Sequence, residues 1–440
     1  MGTARALCLK RIGRALGPTY VKATQGNSMK KVVILGGGTA GTMMSAKLSR
    51  ALELDEWEIT VVDQDNTHIY QPGLLFIPFG VYEPRDVKKP RGRFIPPGVK
   101  FVISEIDAVD PEKREVRLTG GETLSYDFLI IATGTRIVPS ETEGLMGDGW
   151  QKNIFDFYTL EGATRLADHM RHFKGGKVVL NVVEMPIKCP VAPLEFVFLA
   201  DWFFTEEGIR DKTEIVYATP LDGAFTKPKA SALLGDMLSE RNIKVQPVWN
   251  TGEVHPDRNV LATWDGSEME YDLLVTIPYH QGSEVIARSD LGDHADFVPT
   301  DPHTLQSKDW ENIFVIGDAT NLSTSKAGSV AHFEGEILLE NVLRAIQGRE
   351  LWAGFDGHAN CFIETGFNKA VLIDFNYDTE PLPGFYPLPG VGPFSLLGES
   401  EMNHWGKMGF RWVYWNLLLR GSELPGIEAQ MSWAGKWRGS

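Results

Sequence analysis

Short apolar runs recur along the chain, each closed by glycine, proline or an acidic residue. "KKVVILGGG" from Lys30, "EWEITVVDQD" from Glu56 and "YDFLIIATGT" from Tyr126 come first. "GGKVVLNVV" from Gly175, "TEIVYATP" from Thr213, "YDLLVTIPYH" from Tyr271 and "NIFVIGDATNL" from Asn312 follow. Continuous apolar runs of this length read as strands buried on both faces. Between them lie apolar residues at helical spacing, as in "STSKAGSVAHFEGEILLENVLRAI" from Ser323, which reads as a capped helix. The alternation predicts an α/β fold with parallel sheets.

The first strand, turn and helix carry Gly36, Gly38 and Gly41 at GxGxxG spacing. The first glycine permits the tight turn, the second lets backbone approach a pyrophosphate, and the third lets helix pack on strand. The helix start then turns its positive dipole end towards the phosphates. Asp63, at the end of the second run, is placed to accept hydrogen bonds from a ribose diol. The later strands ending in Thr133-Gly134 and Gly317-Asp318 resemble the returning strands of flavoproteins with two dinucleotide-binding domains. That resemblance implies FAD, with Asp318 on its ribityl chain. Lys326, at the start of the following helix, either strengthens the positive end facing the flavin or is a solvated surface lysine.

A second glycine fingerprint is expected after "GGKVVLNVV", and it is missing. "NVVEMPIKCPVAPLEF" (181–196) has no glycine and sets Cys189 between two prolines. Side chains in such a turn block the backbone approach that glycine allows. The strands around it keep their pattern, so the fold is expected to persist without a bound nicotinamide, and hydride from NAD(P)H is not expected.

Composition narrows the classes. With 440 residues, 43% hydrophobic content and 45 glycines, the chain suits a globular α/β protein of two or three domains. A net charge of −15 argues against nucleic acid. Three cysteines, Cys8, Cys189 and Cys361, do not make a disulfide-stapled scaffold. No metal site is expected. Residues 1–28 hold no acidic residue and five lysines or arginines, and read as a disordered leader or a transit-like peptide. No apolar run is long enough to span a membrane.

The motifs "GGGTAG", "KCPVAPLEF", "KAGSVAHFE", "CFIETG" and "HWGKMGFRWVYWNLLL" together resemble the sulfide:quinone oxidoreductase family, from Met29 to about Gly421. Flavocytochrome c sulfide dehydrogenases and type II NADH dehydrogenases are its neighbours. The resemblance implies two tandem Rossmann-like domains and an amphipathic, membrane-associating C-terminal segment. The FAD domain is expected over 29–139 and 291–375, a degenerate NADH-like domain over 140–290, and the quinone and membrane segment over 376–440. Ile106 joins the glycines, Asp63, Thr133, Gly134, Asp318 and Lys326 as a cofactor contact.

It further implies that Cys189 and Cys361 form a redox-active pair, with sulfur carried on Cys189 and Cys361 reacting with the flavin. Glu195 matches a carboxylate thought to handle protons, though it could equally be an exposed helix residue. A thiolate beside the helix of Lys326 is expected to have a lowered pKa. Many family members carry a third essential cysteine after "ATG", and "GTRIVPSETEGLMGDGW" has none. That departure keeps a cytochrome c acceptor open beside ubiquinone or menaquinone. Phe385, Tyr386 and Phe394 are expected to wall the quinone, and Lys407 to meet a carbonyl. Five tryptophans fall in the last 36 residues, where an interfacial helix would also use Lys407, Arg411 and Arg420 as snorkelling cations. The expected setting is the surface of a bacterial cytoplasmic membrane, as a homo-oligomer.

Overall fold

A computed structural model describes residues 29–388, 390–424 and 426–437. The leader and Cys8 lie outside the described residues. The helices, in chain order, are α1 (Thr39–Ala51), α2 (Leu160–Met170), α3 (Ala192–Glu206), α4 (Pro228–Glu240), α5 (Glu284–Arg288), α6 (Gly328–Ile346) and α7 (Glu401–Asn416).

Two five-stranded sheets, each wholly parallel, carry the fold. The first runs Ile313–Val315, Phe128–Ile131, Lys30–Leu35, Trp57–Asp63, Lys100–Ile103. The second runs Ile154–Phe155, Leu273–Ile277, Gly176–Val182, Thr213–Ala218, Ile243–Gln246. The chain thus leaves the first sheet, builds the second, and returns to add Ile313–Val315 beside Phe128–Ile131. Each of the strands expected from the apolar runs forms. Alternation explains why they read as continuous runs: Val32 and Ile34 enter one core cluster while Val33 and Leu35 enter another on the opposite face. Valines 178 and 179 divide in the same way in the second sheet.

A third, mainly antiparallel sheet follows α6. Its strands Ala359–Gly366 and Lys369–Phe375 pair with Cys361 opposite Ile373. The first of them packs on α3, and α7 packs on the second. This layer carries Cys361 to the helix that follows Cys189.

Helix starts show how the site is positioned. Thr159 and Ser400 cap α2 and α7 with their side chains. Proline stands within the first two positions of α3. The cap expected for α6 is absent: Ala327 precedes it, with no side-chain bond to the first turn. Its free N–H end instead faces a cavity.

Candidate active site

That cavity, about 500 Å³, runs from Asp63 and Arg91 past Gly36 and Gly38 to Cys189 and Cys361. Thr133, Gly134, Gly317, Asp318, Lys326, Glu195 and Lys407 also line it. Residues spread over more than 340 positions therefore meet on one space.

The glycine end has the form of a dinucleotide cradle. Gly36 has φ +92°, and a Cβ there would stand 2.5 Å from the Ala132 carbonyl oxygen. A Cβ on Gly41 would meet the Gly36 oxygen at 1.8 Å, so only glycine lets α1 close on the strand. Nothing lies within 4 Å of a Cβ position on Gly38, which leaves its backbone open to a ligand. Asp63 accepts from the Gly37 N–H at 2.7 Å and pairs with Arg91. Thr133 Oγ1 is buried without a partner beside this cradle, so it is available to a bound molecule. The residues present fit FAD.

Lys326 is buried, not a surface lysine, and donates to the carbonyl oxygens of Asp318 at 3.1 Å and Thr320 at 2.5 Å. Burial pushes the Asp318 carboxyl upwards against the pull of Lys326 and Lys188. The main chain then ties the two halves together. The Cys189 N–H donates to the Lys326 carbonyl at 2.7 Å, so the cysteine turn is fastened just ahead of α6. Cys189 itself takes φ +50°, a conformation that L residues avoid, within a turn that presents Lys188 and Cys189 to the cavity. Tyr158 donates to the Cys189 carbonyl at 3.3 Å.

Cys361 comes from the third sheet, 8% exposed, and both cysteines are thiols. The expected lowering of the thiol pKa does not occur. Burial pushes Cys189 up to about 12, with Glu195 adding to it and Lys407 opposing. Burial raises Cys361 too, followed by the charge of nearby Cys189 and again opposed by Lys407. Desolvation exceeds what the helix end and the cations supply.

Glu195 is also buried, 1% exposed, in the first turn of α3. Its Oε1 accepts from the Glu364 N–H at 2.7 Å and pairs with Lys407, while Oε2 has no partner. Lys407 further donates to the Phe362 carbonyl at 3.0 Å. Burial raises Glu195 against the pull of Lys407. Burial opposes the charge on Lys407, but Glu195 and Cys189 outweigh it and hold that ammonium above the ordinary lysine value. Each partner therefore keeps its proton more tightly than in water.

Some expected residues stand elsewhere. Ile106 does not line the cavity: it opens the strand Ile106–Asp110 and packs with the cluster of Val33 and Leu35. Phe385, Tyr386 and Phe394 do not line it either. They sit on the antiparallel pair Gly384–Leu388 and Gly392–Leu396, with Phe385 edge-on to Trp437. Phe394 packs edge-on against Phe362, which does line the cavity, so it stands one layer behind the wall. The aromatic wall comes instead from Tyr158, Phe362, Phe410 and Tyr414. Phe362 follows Cys361 directly, a signal the sequence offered. The snorkelling cations are also otherwise engaged. Lys407 turns inwards, Arg411 covers the Tyr82 ring at 4.4 Å and Arg420 covers Phe94 at 5.7 Å. Among the described residues no helix is long and apolar enough to cross a membrane.

The pyridine nucleotide-disulphide oxidoreductase family model matches residues 30–182. The mitochondrial sulfide:quinone oxidoreductase of Mus musculus is 27% identical over 89% of this chain and 86% of its own. The Dictyostelium discoideum enzyme of the same name is 28% identical over 90% and 87%. The crystal structure of the sulfide:quinone oxidoreductase from Aquifex aeolicus superposes with a TM-score of 0.73 at 20% identity, covering 89% of this chain and 92% of that one. By contrast, a type II NADH:quinone oxidoreductase of Staphylococcus haemolyticus is similar over only 32% of the chain. The likeness thus covers most of the chain for the first group and about a third of it for the second. Over nearly nine tenths of its length the chain is similar to sulfide:quinone oxidoreductases, and its residues 30–182 match the pyridine nucleotide-disulphide oxidoreductase family model.

Proposed function

We propose that the protein oxidises sulfide through Cys189 and Cys361 and reduces a membrane quinone. The observation that carries this reading is the meeting of two cysteines from different sheets on the cavity that holds the glycine cradle. In the oxidised pair, HS⁻ attacks the bridge, leaving a persulfide on Cys189 and a thiolate on Cys361. Burial opposes that thiolate, and Lys407 is the cation that stabilises it. Removal of two electrons from the pair rejoins the cysteines through the added sulfur, and later sulfide releases it as polysulfide. FAD bound here would supply the two-electron acceptor chemistry that links the cysteine pair to quinone. Gly36, Gly38, Asp63, Thr133, Gly134, Gly317, Asp318 and Lys326 are the residues that would hold it. Glu195 and Lys407 hold protons at the cysteine end.

The quinone enters this reading through α7. Met402, Trp405 and Trp412 share one face of that helix and are 48%, 62% and 62% exposed. Such a face suits peripheral attachment to a membrane surface, with aromatics at headgroup level. Ubiquinone or menaquinone would then reach the wall of Phe362, Phe410 and Tyr414 from the bilayer. The protein works in this reading as a homo-oligomer on a bacterial cytoplasmic membrane.

Anaerobic titration tests it. Sulfide is expected to bleach the flavin and decyl-quinone to restore its colour. Bleaching by NADH and not by sulfide overturns the reading, and reoxidation by cytochrome c and not by quinone overturns the acceptor.

A further inference from the structure

Oxidising HS⁻ to zero-valent sulfur releases one proton and two electrons, whereas reducing a quinone to quinol consumes two of each. One more proton per turnover must therefore reach a buried site. Resting on the sulfide and quinone reading above, we propose that Glu364 and His404 form the outer part of a proton route between solvent and the Glu195–Lys407 pair.

The groups lie in order from the surface inwards, with one gap between Glu364 and the inner pair. The His404 side chain is 13% exposed and lies edge-on to the exposed Trp405 ring at 5.3 Å. Its Nδ1 meets both carboxyl oxygens of Glu364, at 2.8 and 3.0 Å. Glu364 is 2% exposed and stands three residues after Cys361 on the same strand. Its main-chain N–H holds Glu195 at 2.7 Å, which fixes the two carboxyl groups relative to one another. Lys407 follows His404 by three residues, hence on the same side of α7, and reaches the other lobe of the same site. Among the described residues no hydrogen bond joins the Glu364 carboxyl to Lys407 or Glu195, although the charges of both act on it, and the flexible lysine stem or a bridging water is the link the route requires. At the inner end, the unpartnered Oε2 of Glu195 belongs to a residue lining the cavity, where it can exchange a proton with a bound molecule.

The charges around the pair favour a relay of neutral groups. Burial pushes Glu364 up to about 8 against the pull of Lys407, so at neutral pH the carboxyl largely keeps a proton to give. Burial lowers His404 against Glu401, leaving the ring neutral and able to accept at Nδ1. Glu399, which also raises Glu364, is itself paired with Arg241 and Lys369. Tyr82, with Arg411 over its ring, feels the charges of Lys407 and Glu364, and burial keeps its phenol protonated. Passing a proton from Glu364 to a neutral imidazole, or back, moves one charge over a single hydrogen bond and leaves no isolated ion in the core.

The full-length, FAD-loaded protein tests this with Glu364→Gln and His404→Ala. Quinone-linked turnover is expected to fall about 100-fold, the lower end of the range for losing a positioned proton carrier. Anaerobic bleaching by one equivalent of sulfide should stay within about twofold of the wild type, because no quinone is reduced in that step. Imidazole in the buffer should restore His404→Ala, and the infrared band of a buried protonated carboxyl in the resting protein should disappear in Glu364→Gln. If both variants turn over as the wild type does, or if turnover and bleaching fall together without imidazole rescue, the route is overturned and the pair merely fastens α7. His404→Ala, at a partly exposed position, carries the test alone where Glu364→Gln does not fold. Failure of sulfide to bleach the wild type would instead overturn the underlying reading of the function.

Discussion

The two parallel sheets begin alike and diverge at the first turn. In the first, Lys30–Leu35 leads through Gly36, Gly37 and Gly38 straight into α1, and the turn carries no side chain at those three positions. In the second, Gly176–Val182 leads through residues 183–191 into α3, and Lys188 and Cys189 point side chains into the shared cavity. One scaffold thus supports a turn that admits a ligand by absence and a turn that reacts through a side chain. The backbone strain falls on a glycine in the first turn, at Gly36, and on the reactive cysteine in the second. A left-handed cysteine is costly, and the Lys326 carbonyl bond and Tyr158 are what hold it.

The largest effect should come from removing the chemistry of the second turn. Cys189→Ser or Cys361→Ser is expected to slow sulfide-driven bleaching on the order of 10⁴-fold or more while FAD stays bound. Stopped-flow absorbance checks this, and retained rates would dissolve the contrast between the turns. Next comes the first turn. Gly41→Ala drives a methyl into the Gly36 oxygen, so a loss of about 3 kcal/mol and of the yellow colour is expected on purification. Thermal denaturation with and without added FAD measures it.

The smallest effect is a pH dependence. An unfolded thiol ionises near 9.0, whereas folded Cys189 resists to about 12. The raised group contributes stability that is present below pH 9 and is lost as pH rises towards 12. From pH 9 to 10 the wild type should lose about 1 kcal/mol more than Cys189→Ser in urea titrations. An equal slope for the two proteins would place Cys189 in a wetter setting than the structure gives it.

Much of this fold could be read from the sequence because buried parallel strands leave an unbroken apolar signature. The cradle was legible too, since its function is written in glycines at fixed spacing. The site beyond it was harder, because it is assembled by tertiary contact. Nothing near Glu195 in the chain announces that Glu364 and Lys407 will bury it, and its position in an apolar helix is equally compatible with exposure. Lys407 could be assigned to the aromatic tail by composition, yet it turns inwards because a buried carboxylate awaits it. Phe385, Tyr386 and Phe394 share the composition of an aromatic wall, but their hairpin sits one layer out. The thiols hold their protons more tightly than the helix end implies for a related reason: a helix end is visible in sequence, and the depth of desolvation is not.

Tyr414, near the end of α7, donates or accepts at 2.7 Å with both Thr39, the first residue of α1, and His68. Trp415 beside it stacks on Phe94. The C-terminal helix is therefore not an accessory fastened to a finished fold but a keystone of the glycine-cradle region. A surface that gripped its exposed tryptophans would also hold, through one phenol, the mouth of the glycine cradle. Attachment and cofactor retention become a single mechanical problem, and trimming the tail would loosen the opposite end of the chain.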